Sequence, residues 1–127
     1  MKQVLVVDDS HVIRRLVEVV LEQIQIEVMT VANGSTACEA LEQYVPDMLI
    51  LDVGLPDISG WDVLDFVRSH PNLQETAVIM LTGRADAQDI EMAADKGADE
   101  YLLKPFRPDE LRRLVVDTIH ESARMRA

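Results

Sequence analysis

Residues 48–56, Met-Leu-Ile-Leu-Asp-Val-Gly-Leu-Pro, place four apolar residues directly before a carboxylate and then break at glycine and proline. The apolar run has the length and composition of a strand that is buried on both faces. Asp52 ends this strand, and Gly54 and Pro56 turn the chain. A carboxylate at the end of a buried strand needs polar partners, and the ends of the other strands supply them.

The same strand-and-helix unit repeats along the chain. Apolar strands are predicted at residues 4–7, 28–31, 48–51, 77–81 and 99–103, and helices are predicted at about 12–24, 35–44, 60–69, 86–96 and 108–123. Nearly continuous apolar strands that alternate with helices are typical of a parallel sheet covered by helices on both faces. Right-handed crossovers make such a sheet doubly wound. We therefore predict an α/β fold with a single doubly wound, five-stranded parallel sheet.

Composition and charge limit the function further. The 127 residues are enough for one domain, and the apolar runs are far shorter than the roughly 20 residues that span a bilayer, so we expect no membrane insertion. The sequence begins without a signal-peptide pattern and has one cysteine, Cys38, so we expect a cytoplasmic protein. A formal charge of −11 disfavours nucleic acid as a direct ligand and suits a basic partner or a divalent cation.

Polar residues stand where the predicted strands end. Asp8 and Asp9 follow the first strand, Asp52 ends the third, Thr82 follows the fourth and Lys104 follows the fifth. Ligands of doubly wound sheets bind at this edge. Carboxylates about 4 Å apart repel by roughly 4 kcal/mol at an effective dielectric near 20, and a hard divalent ion relieves that repulsion. Acids without a neighbouring His or Cys favour Mg²⁺, or Mn²⁺, over zinc.

With a metal beside it, Asp52 has the chemistry of a nucleophile toward phosphorus, because an aspartate carboxylate can form an acyl phosphate. Lys104 and the Thr82 hydroxyl would then stabilise the phosphoryl oxygens. Each residue alone has a simpler interpretation: Asp9 or Ser10 could be a helix N-cap, and Lys104 could be a solvated charge. The joint occurrence of these residues at strand ends carries the prediction.

Four motifs give the chain a resemblance to the response-regulator receiver domains of two-component signalling, the family of the bacterial chemotaxis regulator. These motifs are VLVVDDS at residues 4–10, LILDVGLPDISG at 49–60, VIMLTG at 78–83 and YLLKPF at 101–106. The resemblance covers essentially the whole chain. It implies one receiver domain over residues 1–127 and a flavodoxin-like strand order 2-1-3-4-5.

The resemblance also implies roles around the acid cluster. Asp52 matches the phosphoacceptor of the family. Asp9 matches a direct Mg²⁺ ligand, Asp8 a ligand that acts mainly through water, and the Gly54 backbone carbonyl another ligand. Gly54 and Arg84 match two positions that border the phosphoryl group and influence its lifetime.

The resemblance further implies a mechanism of switching. Lys104 matches the lysine that contacts the phosphoryl group, and Lys104-Pro105 matches a cis peptide. Thr82 and Tyr101 match a switch pair, in which the hydroxyl moves toward the phosphoryl group and the aromatic ring turns inward. The Ala-rich fourth helix has few large apolar residues, so we expect its packing to be weak and easily shifted.

The function that the resemblance implies is a phosphorylation-activated signalling switch. It would accept a phosphoryl group from a phospho-histidine of a sensor kinase, or from a phosphotransfer protein, and change its helix 4–strand 5–helix 5 face to control an output partner or domain. It would partly catalyse its own phosphorylation and dephosphorylation without being an enzyme for an external substrate. Two alternatives remain: a Mg²⁺-dependent phosphohydrolase of the haloacid dehalogenase type, which needs a second acid that this sequence lacks, and an interaction module that works without phosphorylation.

Overall fold

A computed structural model describes residues 1–83 and 87–126 of the chain. It contains the five predicted strands and five predicted helices, and one short 3₁₀ turn over Pro71–Leu73 that was not predicted. The strands are β1 Gln3–Val7, β2 Glu27–Val31, β3 Met48–Asp52, β4 Ala77–Thr82 and β5 Glu100–Leu103. The helices are α1 His11–Glu22, α2 Gly34–Leu41, α3 Gly60–Ser69, α4 Ala87–Asp95 and α5 Pro108–Arg126.

All neighbouring strands of the sheet are parallel, in the order β2-β1-β3-β4-β5. This order confirms the predicted fold class. The strand order reverses between β1 and β3, which lie side by side in the middle of the sheet. A doubly wound sheet binds its ligands at the carboxyl ends of the strands at that point.

Alternate side chains of the central strands enter two separate cores. On one face, Val4, Val6 and Ile50 pack with α1 and α5; on the other, Leu5 and Leu51 pack with α2, α3 and α4. Every residue of β3 is buried. Because each fully buried aliphatic side chain contributes about 1.5–3 kcal/mol relative to exposure, these two cores fix the register of the strands and so the position of the residues at their ends.

The starts of the helices are set by side-chain caps. The Ser10 hydroxyl accepts a hydrogen bond from the Ile13 N–H at 3.3 Å, so Ser10, not Asp9, caps α1. Asp9 is therefore not needed for the helix. The end of α2 at Leu41 comes three residues before the predicted end at Tyr44, where Pro46 disfavours further helical residues.

Arg68 on α3 links several segments at the amino-terminal edge of the sheet, where β4 and β5 begin. The Arg68 guanidinium donates to the carbonyl of Gly97 at 2.9 Å and to that of Leu73 at 3.3 Å, and it pairs with Asp99 at 3.1 Å. The same Asp99 oxygen accepts the Val78 N–H at 2.8 Å. Gly97 has φ +93°, a value that favours glycine. The Arg68 cluster, made of these five residues, fixes the turn between α4 and β5.

Candidate functional site

The carboxyl ends of β1 and β3 bring two acids into contact with one lysine. The Lys104 Nζ lies 2.7 Å from Asp8 Oδ2 and 3.3 Å from Asp52 Oδ1. Asp8 is completely buried and Asp52 is 6% exposed. The peptide between Lys104 and Pro105 is cis, as the resemblance implied, and the Lys104 N–H donates to the Thr82 carbonyl at 2.7 Å. The predicted convergence of strand ends is therefore present in the structure.

Three carboxylates form the part of this site that could hold a metal. Asp8, Asp9 and Asp52 each present an oxygen within 4.8 Å of the others, and Asp9 is exposed. Asp8 Oδ1 accepts the Ser10 N–H at 2.9 Å, whereas the buried Oδ2 forms an ion pair with Lys104 but receives no well-directed hydrogen bond from residues 1–83 or 87–121. A set of oxygen donors with a spare buried lone pair fits a hard divalent cation such as Mg²⁺ or Mn²⁺.

The charges in the site influence one another strongly. Burial, followed by the charge of Asp8, raises the pKa of the Asp52 carboxyl, although Lys104 and the Gly54 N–H act in the opposite direction. Burial would lower the pKa of the Lys104 ammonium, but its close contact with the charge of Asp8, and then that with Asp52, outweighs burial and raises it. The lysine is therefore charged, but its charge does not fully offset the effect of burial and of Asp8 on the Asp52 carboxyl.

Gly60 holds the loop after β3 close to the site, at a position where a larger residue does not fit. The Gly60 N–H donates to the Val53 carbonyl at 2.8 Å, and a Cβ at Gly60 would lie 2.2 Å from the Asp52 carbonyl oxygen. At Gly54, by contrast, a Cβ would meet no atom of the described residues within 4 Å. The Gly54 N–H lies 3.4 Å from Asp52 Oδ1. The start of α3 thus packs directly against the backbone of Asp52, while a side chain at Gly54 would meet no described atom.

Asp57 ties the middle of the same loop to α2. Its two carboxylate oxygens accept the N–H of Gly34 at 2.9 Å and that of Ser35 at 2.8 Å. Hydrogen bonds from the Ser35 side chain and backbone hold the pKa of Asp57 well below its usual value. The loop is therefore fixed at both its middle and its end.

The two residues predicted to form a switch pair lie on adjacent strands. Thr82 is buried and pairs in register with Leu103, two positions beyond Tyr101, so Thr82 and Tyr101 lie on the same face of the sheet. The half-buried Tyr101 lines a groove of about 290 Å³ between β5 and α5. Leu102, Leu114, Glu110, Arg113 and Asp117 line the rest of this groove. Arg84, predicted to influence phosphoryl lifetime, lies outside the described residues.

Sequence reasoning missed Arg14, Asp57 and the steric requirement at Gly60. The Arg14 guanidinium donates to the Asp8 carbonyl at 2.8 Å, a contact that depends on how α1 is rotated against the sheet. Asp57 follows Pro56, and this pair indicated a turn. Nothing in the sequence indicated that the Asp57 carboxylate would bind the start of α2. These contacts all hold the backbone of residues in the acid cluster or of the adjoining loop.

Known proteins share the sequence pattern and the fold of this chain. Residues 4–116 match the family model described as the response regulator receiver domain. The transcriptional regulatory protein KdpE of Mycobacterium tuberculosis is 42% identical over 110 residues, which cover 87% of this chain and 47% of that protein. The chain thus spans about half the length of the curated relatives it matches.

Solved structures show the same fold. A CheY-like response regulator receiver domain protein from Methanospirillum hungatei superposes with a TM-score of 0.91 at 26% identity, over 98% of each chain. A putative response regulator from Chloroflexus aurantiacus superposes with a TM-score of 0.88 at 34% identity, over 94% of this chain and 98% of that one. In the part of the chain that the structure describes, no helix combines the length and apolar character needed to cross a bilayer.

Proposed function

Since the chain belongs to the family of response regulator receiver domains, we propose that it is a phosphorylation-activated switch whose phosphoacceptor is Asp52. The observation that supports this most directly is the Lys104 ammonium, placed between Asp8 and Asp52 at the end of the two central strands. A nucleophilic carboxylate beside a fixed cation is the minimum that phosphoryl capture requires.

The reaction follows from these contacts. An Asp52 oxygen attacks the phosphorus of a phospho-histidine; the P–O bond forms while the P–N bond breaks, and the imidazole leaves with the electron pair and takes up a proton. The Lys104 ammonium and the Thr82 hydroxyl would stabilise the phosphoryl oxygens, since both groups belong to the same strand ends. An acyl phosphate on Asp52 is the product.

The metal-binding residues we propose are Asp9, Asp52 and the Gly54 backbone carbonyl, with Asp8 acting mainly through water. Bound Mg²⁺ supplies positive charge that offsets the developing charge on the phosphoryl oxygens. Asp8 meanwhile holds Lys104 in place through its 2.7 Å ion pair. The chain would therefore catalyse part of its own phosphorylation and dephosphorylation, and it would have no external substrate to turn over.

The output we propose passes through Thr82 and Tyr101 to the face made by α4, β5 and α5. The two side chains share a face of the sheet, and Tyr101 also borders the groove between β5 and α5. The phosphodonor would be a sensor histidine kinase or a phosphotransfer protein. The chain's longer relative is named a transcriptional regulatory protein, so an output domain or partner is expected beyond this chain. We also propose a cytoplasmic location, in agreement with the single cysteine.

The test is direct labelling. The protein is incubated with Mg²⁺ and either a phosphorylated histidine kinase or a radiolabelled small acyl phosphate, and acid-stable but base-labile label is counted. We expect label on the wild type, none on Asp52→Ala, and none after chelation of the metal. Asp62→Asn, which changes an exposed acid on α3, is the matched control and should be labelled normally. Equal label on the wild type and Asp52→Ala would refute the proposal, and steady phosphate release from a simple monoester would favour a phosphohydrolase.

A further inference from the structure

The Asp8–Asp9 segment is held by contacts that do not come from the acid cluster itself. The Asp8 N–H donates to the Val31 carbonyl at 3.2 Å, and its side chain is engaged by the Ser10 N–H and by Lys104. Its carbonyl accepts the 2.8 Å hydrogen bond from Arg14 Nη1. The last contact differs from the others because it acts on the peptide that joins the two acids.

A hydrogen bond that fixes the Asp8 carbonyl also restricts the backbone of Asp9. The peptide group is planar, so the direction of the Asp8 carbonyl determines the direction of the Asp9 N–H and the position of the Asp9 Cα. Asp9 is exposed, so its side chain is less restricted by packing than the buried Asp8 and Asp52. A half-buried guanidinium on the second turn of α1 can restrict the orientation of Asp9 through the main chain.

We propose that Arg14 is a positioning residue of the acid cluster: it holds the Asp8–Asp9 peptide so that both carboxylates can converge with Asp52 on one divalent cation. This inference rests on the proposed function, because it takes the cluster to be a metal site. Arg14 does not touch the metal or the phosphoryl group. It acts on the cluster through the backbone, as hydrogen-bonding partners around metal sites commonly do.

The charge of Arg14 and its hydrogen bond have opposite expected effects on the affinity for Mg²⁺. A positive guanidinium near three carboxylates repels a second cation, so electrostatics alone predicts that removing Arg14 strengthens Mg²⁺ binding. Loss of the hydrogen bond to the Asp8 carbonyl loosens Asp9 and predicts weaker binding. The sign of the change in affinity therefore decides between the two.

The experiment measures Mg²⁺ binding to the full chain by isothermal titration calorimetry, without any phosphodonor. We expect Arg14→Ala to raise the Kd for Mg²⁺ by about tenfold, the lower end of the effect of losing a supporting contact at a metal site. Arg14→Lys keeps a charged donor and should recover part of the affinity. Arg15→Ala is the matched control, because it removes the same charge from a side chain that is 63% exposed and pairs with Glu18 on its own helix; its Kd should stay within about twofold of wild type.

A second measurement reports position rather than affinity. In metal-free protein, the amide resonance of Asp9 should move in Arg14→Ala and stay in place in Arg15→Ala. If Arg14→Ala binds Mg²⁺ as tightly as Arg15→Ala, or more tightly, the positioning role is wrong. Should Arg14→Ala fail to fold, Arg14→Gln is judged by the same criterion. A wild type that neither binds Mg²⁺ nor becomes labelled would refute the proposed function itself, whereas normal binding and labelling with no effect of Arg14→Ala refutes only this inference.

Discussion

Replacing Asp52 with asparagine should make the metal-free protein more stable. Asp52 is nearly buried, and its carboxylate shares a small space with Asp8 and Asp9. Asparagine keeps the shape of the side chain and can still face Lys104 with its carbonyl oxygen, but it removes the negative charge. Asp52, which the proposed function requires, would thus lower the free energy of unfolding of the metal-free protein.

The distances give the size of the effect. Oxygens of Asp8 and Asp9 each lie within 4.8 Å of one of Asp52, so at an effective dielectric near 20 each acid repels Asp52 by at least about 3.5 kcal/mol, whereas the 3.3 Å contact of Asp52 with Lys104 attracts by about 5 kcal/mol. Water weakens the repulsion from Asp9 because Asp9 is exposed, and burial of Asp52 adds a further cost. We therefore expect Asp52→Asn to raise the free energy of unfolding by about 1–2 kcal/mol at neutral pH, and Tm by several degrees.

The pH dependence provides an internal check. The pKa of Asp52 is raised in the folded state above its usual value of 3.8. As pH rises from about that value to the folded pKa, the unfolded chain releases its proton first, so the wild type loses stability across this window. The advantage of Asp52→Asn should thus be absent in acid, grow through the window and be complete above the folded pKa.

Urea denaturation followed by the fluorescence of Trp61, which packs against the core on the α2–α4 face, measures both effects. With Mg²⁺ at ten times its Kd, the wild type should gain about 1.4 kcal/mol and lose its deficit against Asp52→Asn. Asp117→Asn, an exposed acid on α5, is the control and should show neither the stabilisation nor its pH dependence. An Asp52→Asn protein that is no more stable than wild type in excess EDTA would refute the reasoning.

Three other substitutions test the structure around the site. Lys104→Met should lower the free energy of unfolding by roughly 3 kcal/mol in denaturant titrations, because completely buried Asp8 loses its cation. Gly60→Ala should cost roughly 2–3 kcal/mol and reduce labelling, because the new Cβ would lie 2.2 Å from the Asp52 carbonyl oxygen, where only backbone can give way. Thr118→Val should be neutral or stabilise by up to about 1 kcal/mol in thermal unfolding, because the buried Thr118 hydroxyl has no hydrogen-bond partner among the residues that the structure describes.

Each of these has a control within the chain. Lys96→Met removes a 3.0 Å ion pair with exposed Asp65 and should cost less than about 1 kcal/mol. Gly54→Ala puts a methyl group where no atom of the described part of the chain lies within 4 Å and should fold as the wild type does. Thr118→Ser keeps the unpaired hydroxyl but loses a methyl group, at a cost of about 1 kcal/mol. The reasoning is contradicted if Lys104→Met loses no more stability than Lys96→Met, or if Gly60→Ala loses no more than Gly54→Ala. It is also contradicted if Thr118→Val is less stable than Thr118→Ser.

The strands and helices could be predicted because their signals are local. A short apolar run such as residues 48–51, followed by Gly54 and Pro56, favours a buried strand, and parallel strands bring their carboxyl ends to one edge whatever the details of packing. The convergence of Asp8, Asp52 and Lys104 follows from that rule alone. The family motifs then predicted the cis peptide and the strand order, both of which the structure contains.

What could not be predicted depends on how separate elements meet. The hydrogen bond from Arg14 requires a particular rotation of α1, and the contacts of Asp57 require α2 to begin beside the loop after β3. The need for glycine at residue 60 comes from the 2.2 Å approach of two backbones. None of these produces a periodic pattern in the sequence. The assignment of the α1 cap to Ser10 likewise needed the observed hydrogen bond.

The Arg68 cluster has a mechanical consequence for α4. It anchors the chain just after this helix, through the Gly97 carbonyl and Asp99, while the Ala98 N–H donates to the Ala93 carbonyl at 2.8 Å and Lys96 reaches Asp65 on α3. The carboxyl end of α4 is therefore tied both to α3 and to the start of the sheet. If α4 moves on phosphorylation, we expect the displacement to be smallest at this end and to grow toward its amino-terminal end, which follows the strand that ends at Thr82.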